Sequence, residues 1–289
     1  MRPSVPPLPT PHSPLPAPRS PGTLAAMARR LSLAYLTVNG VSPAEQVSIA
    51  AETGYQSVGL RLMNRPPAPE VWRDDAQLRE AELRLDETGI TVLDCEIFWL
   101  LPETRVADYD GLLAAMQRLK SRLLLVLSRD PELQRGFDNF VELCEMAAPY
   151  GVLCCHEFSK ITPVENLFQT VDIVKRSGQS NARVLVDSLH LSRSGGKPAD
   201  VASVDPALFE YAQLCDAPAA IPDMDRMRLE PGDRMLPGQG ALPLVDLVRA
   251  LPADLPLAVE APVKQLEQLP PSERAWMAME GLKSILERV

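Results

Sequence analysis

Short apolar runs alternate with amphipathic stretches from about residue 31 to the C-terminus. Eight runs have the length and apolar content of buried strands, and the stretches between them show helical periodicity. Each strand-plus-helix unit takes roughly 32 residues, which is typical of a (β/α)₈ barrel. The pattern therefore predicts an α/β fold, a single (β/α)₈ TIM barrel. The candidate strands are 31–37, 57–62, 91–98, 122–127, 152–158, 182–187, 211–215 and 257–260.

The alternative fold is an open, doubly wound sheet. Such sheets usually carry a glycine-rich, phosphate-binding turn directly after the first strand. Here the first strand is followed by Thr37-Val-Asn-Gly-Val-Ser-Pro, which is not a turn of that kind. The barrel is therefore favoured.

The first residues of the chain differ in character from the rest. Nine prolines fall within residues 1–21, with no hydrophobic periodicity and no apolar core of a signal peptide. We expect residues 1–30 to form a disordered, proline-rich extension and residues 31–289 to form the barrel domain. Met27 is a second candidate for the start of the protein, beside Met1.

Composition narrows the classes of partner. The net charge of −9 argues against a nucleic-acid partner, because phosphates would be repelled. No apolar run reaches the roughly 20 residues of a membrane span. The five cysteines form no CxxC pair, which favours reduced thiols and a cytoplasmic location. We expect neither nucleic acid nor membrane as a partner, and the helix faces leave room for a homodimer.

Three apolar runs carry an acidic residue at or near their C-terminal ends: Glu157, Asp187 and Glu260, on strands five, six and eight. A buried carboxylate is costly unless it is paired or binds a cation. The C-terminal ends of barrel strands share one face, where barrel active sites lie. Pairing with a neighbouring Arg or Lys is the alternative for each acid taken singly. Three acids on one rim instead indicate a site for a metal ion.

The chain has only three histidines, and two lie close to these acids. His190 follows Asp187 by three residues and could lean over a bound substrate; a helix cap or a satisfied loop histidine is the alternative. His156 alternates with Glu157 along its strand and should face the helix layer.

These motifs resemble the sugar phosphate isomerase/epimerase superfamily with the xylose-isomerase-like barrel, which includes ketose 3-epimerases, hydroxypyruvate isomerases and inosose dehydratases. The resemblance covers about residues 31–289. The motifs that carry it are His-Glu157-Phe, Val-Asp187-Ser-Leu-His190, Tyr-Ala-Gln213-Leu-Cys-Asp216, Leu-Pro-Gly238-Gln-Gly240 and Val-Glu260.

The resemblance implies a divalent metal held by Glu157, Asp187, Gln213 and Glu260, with His190 contacting the substrate. The sequence departs from the family at Gln213, which stands where the family has a histidine. Three carboxylates and an amide form an all-oxygen ligand set, which suits Mn²⁺ or Mg²⁺ better than zinc or copper. The departure leaves the identity and the affinity of the metal open.

Four other polar residues are candidates for substrate binding. Arg61 and Glu96 lie on strands two and three and could reach substrate hydroxyls or pair with each other. Lys160 follows Glu157 and could meet a carboxylate or phosphate, although an exposed lysine is the default. Arg234 precedes the glycine-containing segment and could anchor an anionic group. Asp216 could support a ligand through a hydrogen bond.

The resemblance predicts an isomerase or epimerase that moves a proton next to the carbonyl of a sugar, a sugar phosphate or a keto-acid through an enediolate. The metal would act as Lewis acid, and Glu157 and Glu260 as acid and base. One alternative is an inosose-type dehydratase on the same scaffold. Others are a non-catalytic sugar-binding barrel with a degenerate metal site and, opposed by the acidic charge, a nuclease that acts at abasic sites.

Overall fold

Eight parallel strands close into a barrel in chain order, with β8 pairing β1. The computed structural model describes residues 29–64 and 68–289. The closed barrel of eight parallel strands confirms the predicted fold. The strands are β1 (Leu31–Ala34), β2 (Ser57–Arg61), β3 (Thr91–Leu100), β4 (Leu123–Ser128), β5 (Leu153–Glu157), β6 (Ala182–Asp187), β7 (Phe209–Leu214) and β8 (Leu257–Val259).

Helices follow the strands and form an outer layer. Their ends carry the expected signals: Ser42 caps α1 at the amide of Glu45, and Gly54 ends α1 with a φ of 87°. The helices are α1 (Pro43–Thr53), α2 (Asp75–Thr88), α3 (Asp110–Arg118), α4 (Leu133–Ala147), α5 (Leu167–Ser177), α6 (Ser188–Arg193), α7 (Pro198–Ala202), α8 (Met224–Met227), α9 (Leu244–Ala250) and α10 (Pro271–Leu286).

The buried apolar side chains form two clusters. The larger cluster fills the space between the strands and the helices and includes side chains from every helix of nine residues or more. The smaller cluster fills the inside of the barrel and includes Leu125, Leu185 and Tyr211. Because successive strand residues point to opposite sides, every strand except β2 contributes to both clusters, and β2 contributes to the larger one only. The inner cluster forms an apolar floor beneath the C-terminal ends of the strands.

Periodicity located the long elements well. The helix expected over 43–53 and the strand over 182–187 have those bounds in the structure. The three short helices α6, α7 and α8 were not predicted, because six or fewer residues are too short to show a helical period. In the described ranges, no helix is both long and apolar enough to span a membrane.

The predicted disordered extension over residues 1–30 lies outside the described residues, except for Arg29 and Arg30. Arg29 donates hydrogen bonds to the carbonyl oxygens of Leu255 and Val248. Arg29 thus lies at the N-terminal face of the barrel, opposite the ends of the strands that carry the acids.

Candidate active site

Four of the predicted residues lie together at the C-terminal ends of four consecutive strands, β5 to β8. Glu157 ends β5, Asp187 ends β6, Gln213 lies near the end of β7, and Glu260 comes directly after β8. Asp187 pairs with Gln213 in the register of β6 and β7. All four side chains are buried. The structure therefore brings the three acids of the strand-end pattern to one face, and Gln213, which the resemblance implied, lies with them.

Arg234 lies among these acids and forms a two-armed ion pair. Its Nη1 is 2.7 Å from Oδ2 of Asp187, and its Nη2 is 2.7 Å from Oε2 of Glu260. Its side chain is 2% exposed. We expected Arg234 to anchor an anionic group of a substrate. In this conformation it binds two carboxylates of the protein instead.

The charges of this cluster are unbalanced. Glu157, Asp187 and Glu260 supply three carboxyl groups, and Arg234 pairs with two of them. Burial, together with Asp187 and Glu260 nearby, raises the pKa of Glu157 well above its ordinary value. Burial raises the pKa of Glu260 to about 8 against the opposing effect of Arg234. Without another cation, the cluster relieves its negative charge by holding a proton, and Glu157, the carboxyl group that forms no ion pair with Arg234, is the group that holds it.

Asp187 behaves differently from the two glutamates. Burial would raise its pKa, but the Arg234 guanidinium, His190 and the amide hydrogen bond from His190 together hold it below its usual value. The amide of His190 donates to Oδ1 of Asp187 at 3.0 Å, so this aspartate also caps α6. Asp187 is therefore the carboxylate of the cluster that is most firmly ionised.

Two buried oxygen atoms fit a bound cation. Oε1 of Glu157 and Oε1 of Gln213 have no hydrogen-bond partner among the described residues. The amide nitrogen of Gln213 donates to Oε1 of Glu260 at 3.3 Å, which leaves its carbonyl oxygen available. Unpartnered oxygen acceptors beside excess carboxyl groups are suited to a hard divalent cation. The donor set therefore fits the predicted metal.

The ligand set is not assembled in this conformation. Within residues 29–64 and 68–289, no three side chains of His, Cys, Asp or Glu come together as metal ligands. One of the four predicted ligands is a glutamine, and the guanidinium of Arg234 engages both Asp187 and Glu260. The assignment of Glu157, Asp187, Gln213 and Glu260 as metal ligands thus stays a prediction.

One ring nitrogen of His190 faces Glu157, and the other forms a hydrogen bond with Ser159. Its Nε2 is 4.0 Å from Oε1 of Glu157, and its Nδ1 is 3.1 Å from Oγ of Ser159. Burial lowers the pKa of His190 to about 4, so the imidazole is neutral at neutral pH. A neutral, oriented imidazole can exchange hydrogen bonds with a substrate hydroxyl. Ser159 was not singled out in the sequence.

A second group of polar residues lies on β2 and β3. Arg61 lies 3.6 Å from Glu96, in the ion pair that was one of its two predicted roles, and its guanidinium lies over the ring of Tyr35 at 4.8 Å. Asp94, two residues before Glu96, accepts a hydrogen bond from the hydroxyl of Tyr211 at 3.2 Å. Burial raises the pKa of Asp94 to about 7. Asp94 was missed because an acid in the middle of a strand gives no strand-end signal.

Two predictions concern residues outside this cluster. Lys160 pairs with Glu165 and is partly exposed, so the structure does not bring it together with the acids. His156 faces the helix layer as expected, and its ring meets Phe140 of α4 edge-on with a centroid distance of 5.0 Å.

Asp216 organises the segment that follows Arg234. Its carboxylate accepts hydrogen bonds from the amides of Ala217, Gly238 and Leu242 at 2.9 to 3.0 Å. Residues 216 and 235 also form an isolated antiparallel bridge. Asp216 therefore acts on the site through the backbone, as a support for the segment that presents Arg234.

Gly240 is packed so tightly against this support that a side chain there should be disruptive. A Cβ at Gly240 would lie 2.3 Å from Oδ1 of Asp216 and 2.5 Å from the carbonyl oxygen of Ala217. We expect Gly240→Ala to lower the free energy of unfolding by about 1–3 kcal/mol, measured by urea denaturation. Gly232→Ala is the matched control, because a Cβ there meets nothing within 4 Å. Equal stability of the two variants would contradict this packing.

Comparison with known proteins places these features in a family. The model of the xylose isomerase-like TIM barrel family matches residues 47–285. A 3-dehydroshikimate dehydratase of Pseudomonas aeruginosa is 28% identical over 182 residues, which is 59% of this chain and 28% of that protein. This chain thus spans well under half the length of that relative.

Solved structures show the same fold at low sequence identity. The IOLI protein with a bound zinc atom has a TM-score of 0.76 and 18% identity, covering 90% of this chain and 98% of that one. The D-psicose 3-epimerase of Clostridium cellulolyticum with D-tagatose has a TM-score of 0.67 and 15% identity, covering 89% and 99%. Such structural relatives thus include an epimerase and a zinc-bound protein, and the relative found by sequence is a dehydratase.

Proposed function

Because the chain belongs to the xylose isomerase-like TIM barrel family, we propose that it is a divalent-metal-dependent enzyme that removes the proton next to a carbonyl group of a small polyhydroxy substrate. The observation that carries this proposal is the cluster of Glu157, Asp187 and Glu260, buried together at the C-terminal ends of the strands. Its excess negative charge and its two unpartnered oxygen atoms support a bound cation. A barrel that only binds sugars would have little use for such a costly cluster.

The residues that would hold the metal are Glu157, Asp187, Gln213 and Glu260. When bound, the cation would polarise the substrate carbonyl as a Lewis acid and so acidify the neighbouring C–H bond. The all-oxygen ligands support Mn²⁺ or Mg²⁺. The zinc bound by the IOLI protein makes zinc the second metal to test.

Glu157 is the residue we propose as the base. Within the described part of the chain its Oε1 has no hydrogen-bond partner, whereas both oxygens of Glu260 have one. Glu157, ionised once a cation is bound at the site, would accept the α-proton, and the electron pair of the C–H bond would form the enolate. His190, 4.0 Å away, would hold a substrate hydroxyl next to that carboxyl group.

We propose dehydration as the outcome of this step. The enolate would expel a β-hydroxyl group, and the proton held by Glu157 would leave with it as water. The relative detected by sequence, a 3-dehydroshikimate dehydratase, supports this outcome. The predicted isomerase or epimerase reaction is the second candidate, supported by the second glutamate, Glu260, which could return the proton at another position.

Two arginines at the C-terminal ends of β2 and β4 support the proposal of a substrate with an anionic group. Arg61 at the end of β2 stacks on Tyr35, and Arg129 after β4 stacks on Trp99 at 4.5 Å. Both side chains are half-buried at the C-terminal end of the barrel. A keto-acid would place its carboxylate near these residues and its carbonyl near the acids.

The proposal extends to location and partners. All five cysteines lie in the described part of the chain, where each is buried and unpaired, which supports a reducing compartment such as the cytoplasm. The proposed partner is the small substrate, and a second copy of this chain remains a candidate.

Incubation with polyhydroxy ketones and keto-acids, including 3-dehydroshikimate, in heavy water with Mn²⁺ tests the reaction. Mass spectrometry should show loss of one water from the accepted substrate. Deuterium gain without loss of water would instead support isomerisation or epimerisation. A metal-loaded protein that gives neither change with any member of the panel would contradict the proposed enzyme.

A further inference from the structure

We infer that the guanidinium of Arg234 and the divalent cation are alternative occupants of the carboxylates of Asp187 and Glu260, so that loading the metal requires Arg234 to leave them. This inference rests on the proposed metal site but not on the proposed reaction. It assigns Arg234 the role of an internal counter-ion that sets how tightly the site binds metal.

The hydrogen bonds of Arg234 define the competition. Its two terminal nitrogens bind Oδ2 of Asp187 and Oε2 of Glu260, each at 2.7 Å. Nη1 also donates to the carbonyl oxygen of Glu260 at 3.1 Å. A metal that takes Asp187 and Glu260 as ligands needs carboxylate oxygens that now accept hydrogen bonds from Arg234.

Charge opposes simultaneous occupancy. Two positive groups within contact distance repel strongly in a buried site, where water screens little. The Arg234 side chain is 2% exposed, and the two carboxylates that it binds are 5% exposed or less. Holding both cations on the same two carboxylates would therefore be costly, and the tighter-binding cation displaces the other.

The exchange needs only a side-chain movement. The backbone amide of Arg234 donates to the carbonyl oxygen of Pro262 at 2.7 Å, and Asp216 secures the next residues. The inner part of the side chain is held more loosely, by a 3.3 Å hydrogen bond from Nε to the carbonyl oxygen of Pro231. These bonds hold the backbone in place, so the guanidinium is the part that would have to move.

The arrangement also explains how the acidic cluster tolerates the absence of a metal. Two of its three carboxylates keep a buried cation at all times, either Arg234 or the metal. Removal of the arginine side chain should therefore have opposite effects on the two forms. The metal-free protein loses a counter-ion, and the metal gains free access to Asp187 and Glu260.

Mn²⁺ titration of the chelator-treated protein tests this exchange. We expect Arg234→Met to bind Mn²⁺ roughly ten- to a hundredfold more tightly than the wild type, by isothermal titration calorimetry. Arg183→Met is the matched control, because Arg183 pairs with Glu210 at the opposite end of the barrel. Its affinity for Mn²⁺ should stay within about twofold of the wild type.

A second measurement uses the unaltered protein. The side-chain Nε–H signal of Arg234 in the NMR spectrum is assigned by its loss in Arg234→Lys. It should shift when Mg²⁺ or Zn²⁺ is added, because the guanidinium leaves the carboxylates. These two ions are used because they are diamagnetic. In Arg234→Ala, low millimolar guanidinium chloride should refill the vacated position and weaken Mn²⁺ binding. The same salt should not change the affinity of the wild type.

The outcomes separate this inference from the proposed function. Equal or weaker Mn²⁺ binding by Arg234→Met, with an unshifted Arg234 signal in the metal-loaded wild type, would overturn the exchange but leave the reaction open. Tighter binding without any turnover would support the exchange and count against the proposed reaction. A failure of both wild type and variant to bind Mn²⁺ would overturn the metal site and with it the exchange.

Discussion

Replacement of Glu157 by Gln is expected to lower turnover by about 10²- to 10⁴-fold and to abolish α-proton exchange, because an amide cannot accept the substrate proton. The substitution keeps the size of the side chain and an oxygen that can face a cation. Among the residues that the structure describes, Oε1 of Glu157 has no hydrogen-bond partner to lose. The fold should therefore survive, and circular dichroism spectra should match those of the wild type.

The measurement is deuterium exchange and product formation at saturating Mn²⁺, so that a weaker metal affinity of the variant does not mimic a lost base. Glu165→Gln is the matched control, since it makes the same change on the segment after β5, where Glu165 pairs with Lys160. It should leave turnover within about twofold of the wild type. Exchange that persists in Glu157→Gln would assign the base elsewhere, with Glu260 as the next residue to test.

The barrel and the position of its acids were predictable because they depend on local patterns. Buried parallel strands read as continuous apolar runs, so an acid at a strand end is visible in the sequence. Glu157 and Asp187 end their strands in the structure as they do in the pattern. Closure of the barrel then brings such ends to one face without any further information.

The contacts of the acids were not predictable, because they depend on residues far apart in the chain. Arg234 reaches Asp187 across 47 positions and Glu260 across 26. Its sequence context indicated a segment near the pocket but not that its side chain turns inward to the protein's own carboxylates. Asp94 was missed because it lies within β3 rather than at its end, and the contact with Tyr211 joins residues 117 positions apart.

Arg193→Met is expected to lower the free energy of unfolding by about 3–5 kcal/mol, because it leaves Glu230 buried without its partner. Arg193 donates to both carboxylate oxygens of Glu230 at 2.7 Å, and the two side chains are 2% and 7% exposed. Arg193 also donates to the carbonyl oxygen of Pro218 at 3.1 Å. The pair therefore joins α6, which carries His190, to the segment that leads to Arg234.

Urea denaturation of a double-mutant cycle measures this contribution. The double variant Arg193→Met/Glu230→Met should recover most of the stability that Arg193→Met loses, since apolar side chains of similar volume can replace a buried ion pair at little cost. Arg228→Met is the control, because Arg228 pairs with Asp225 on the exposed surface of the same segment and should cost less than about 1 kcal/mol. Additive losses in the double variant would mean that Glu230 is stabilised by something other than Arg193. The link between α6 and the Arg234 segment would then have to lie in the backbone rather than in this ion pair.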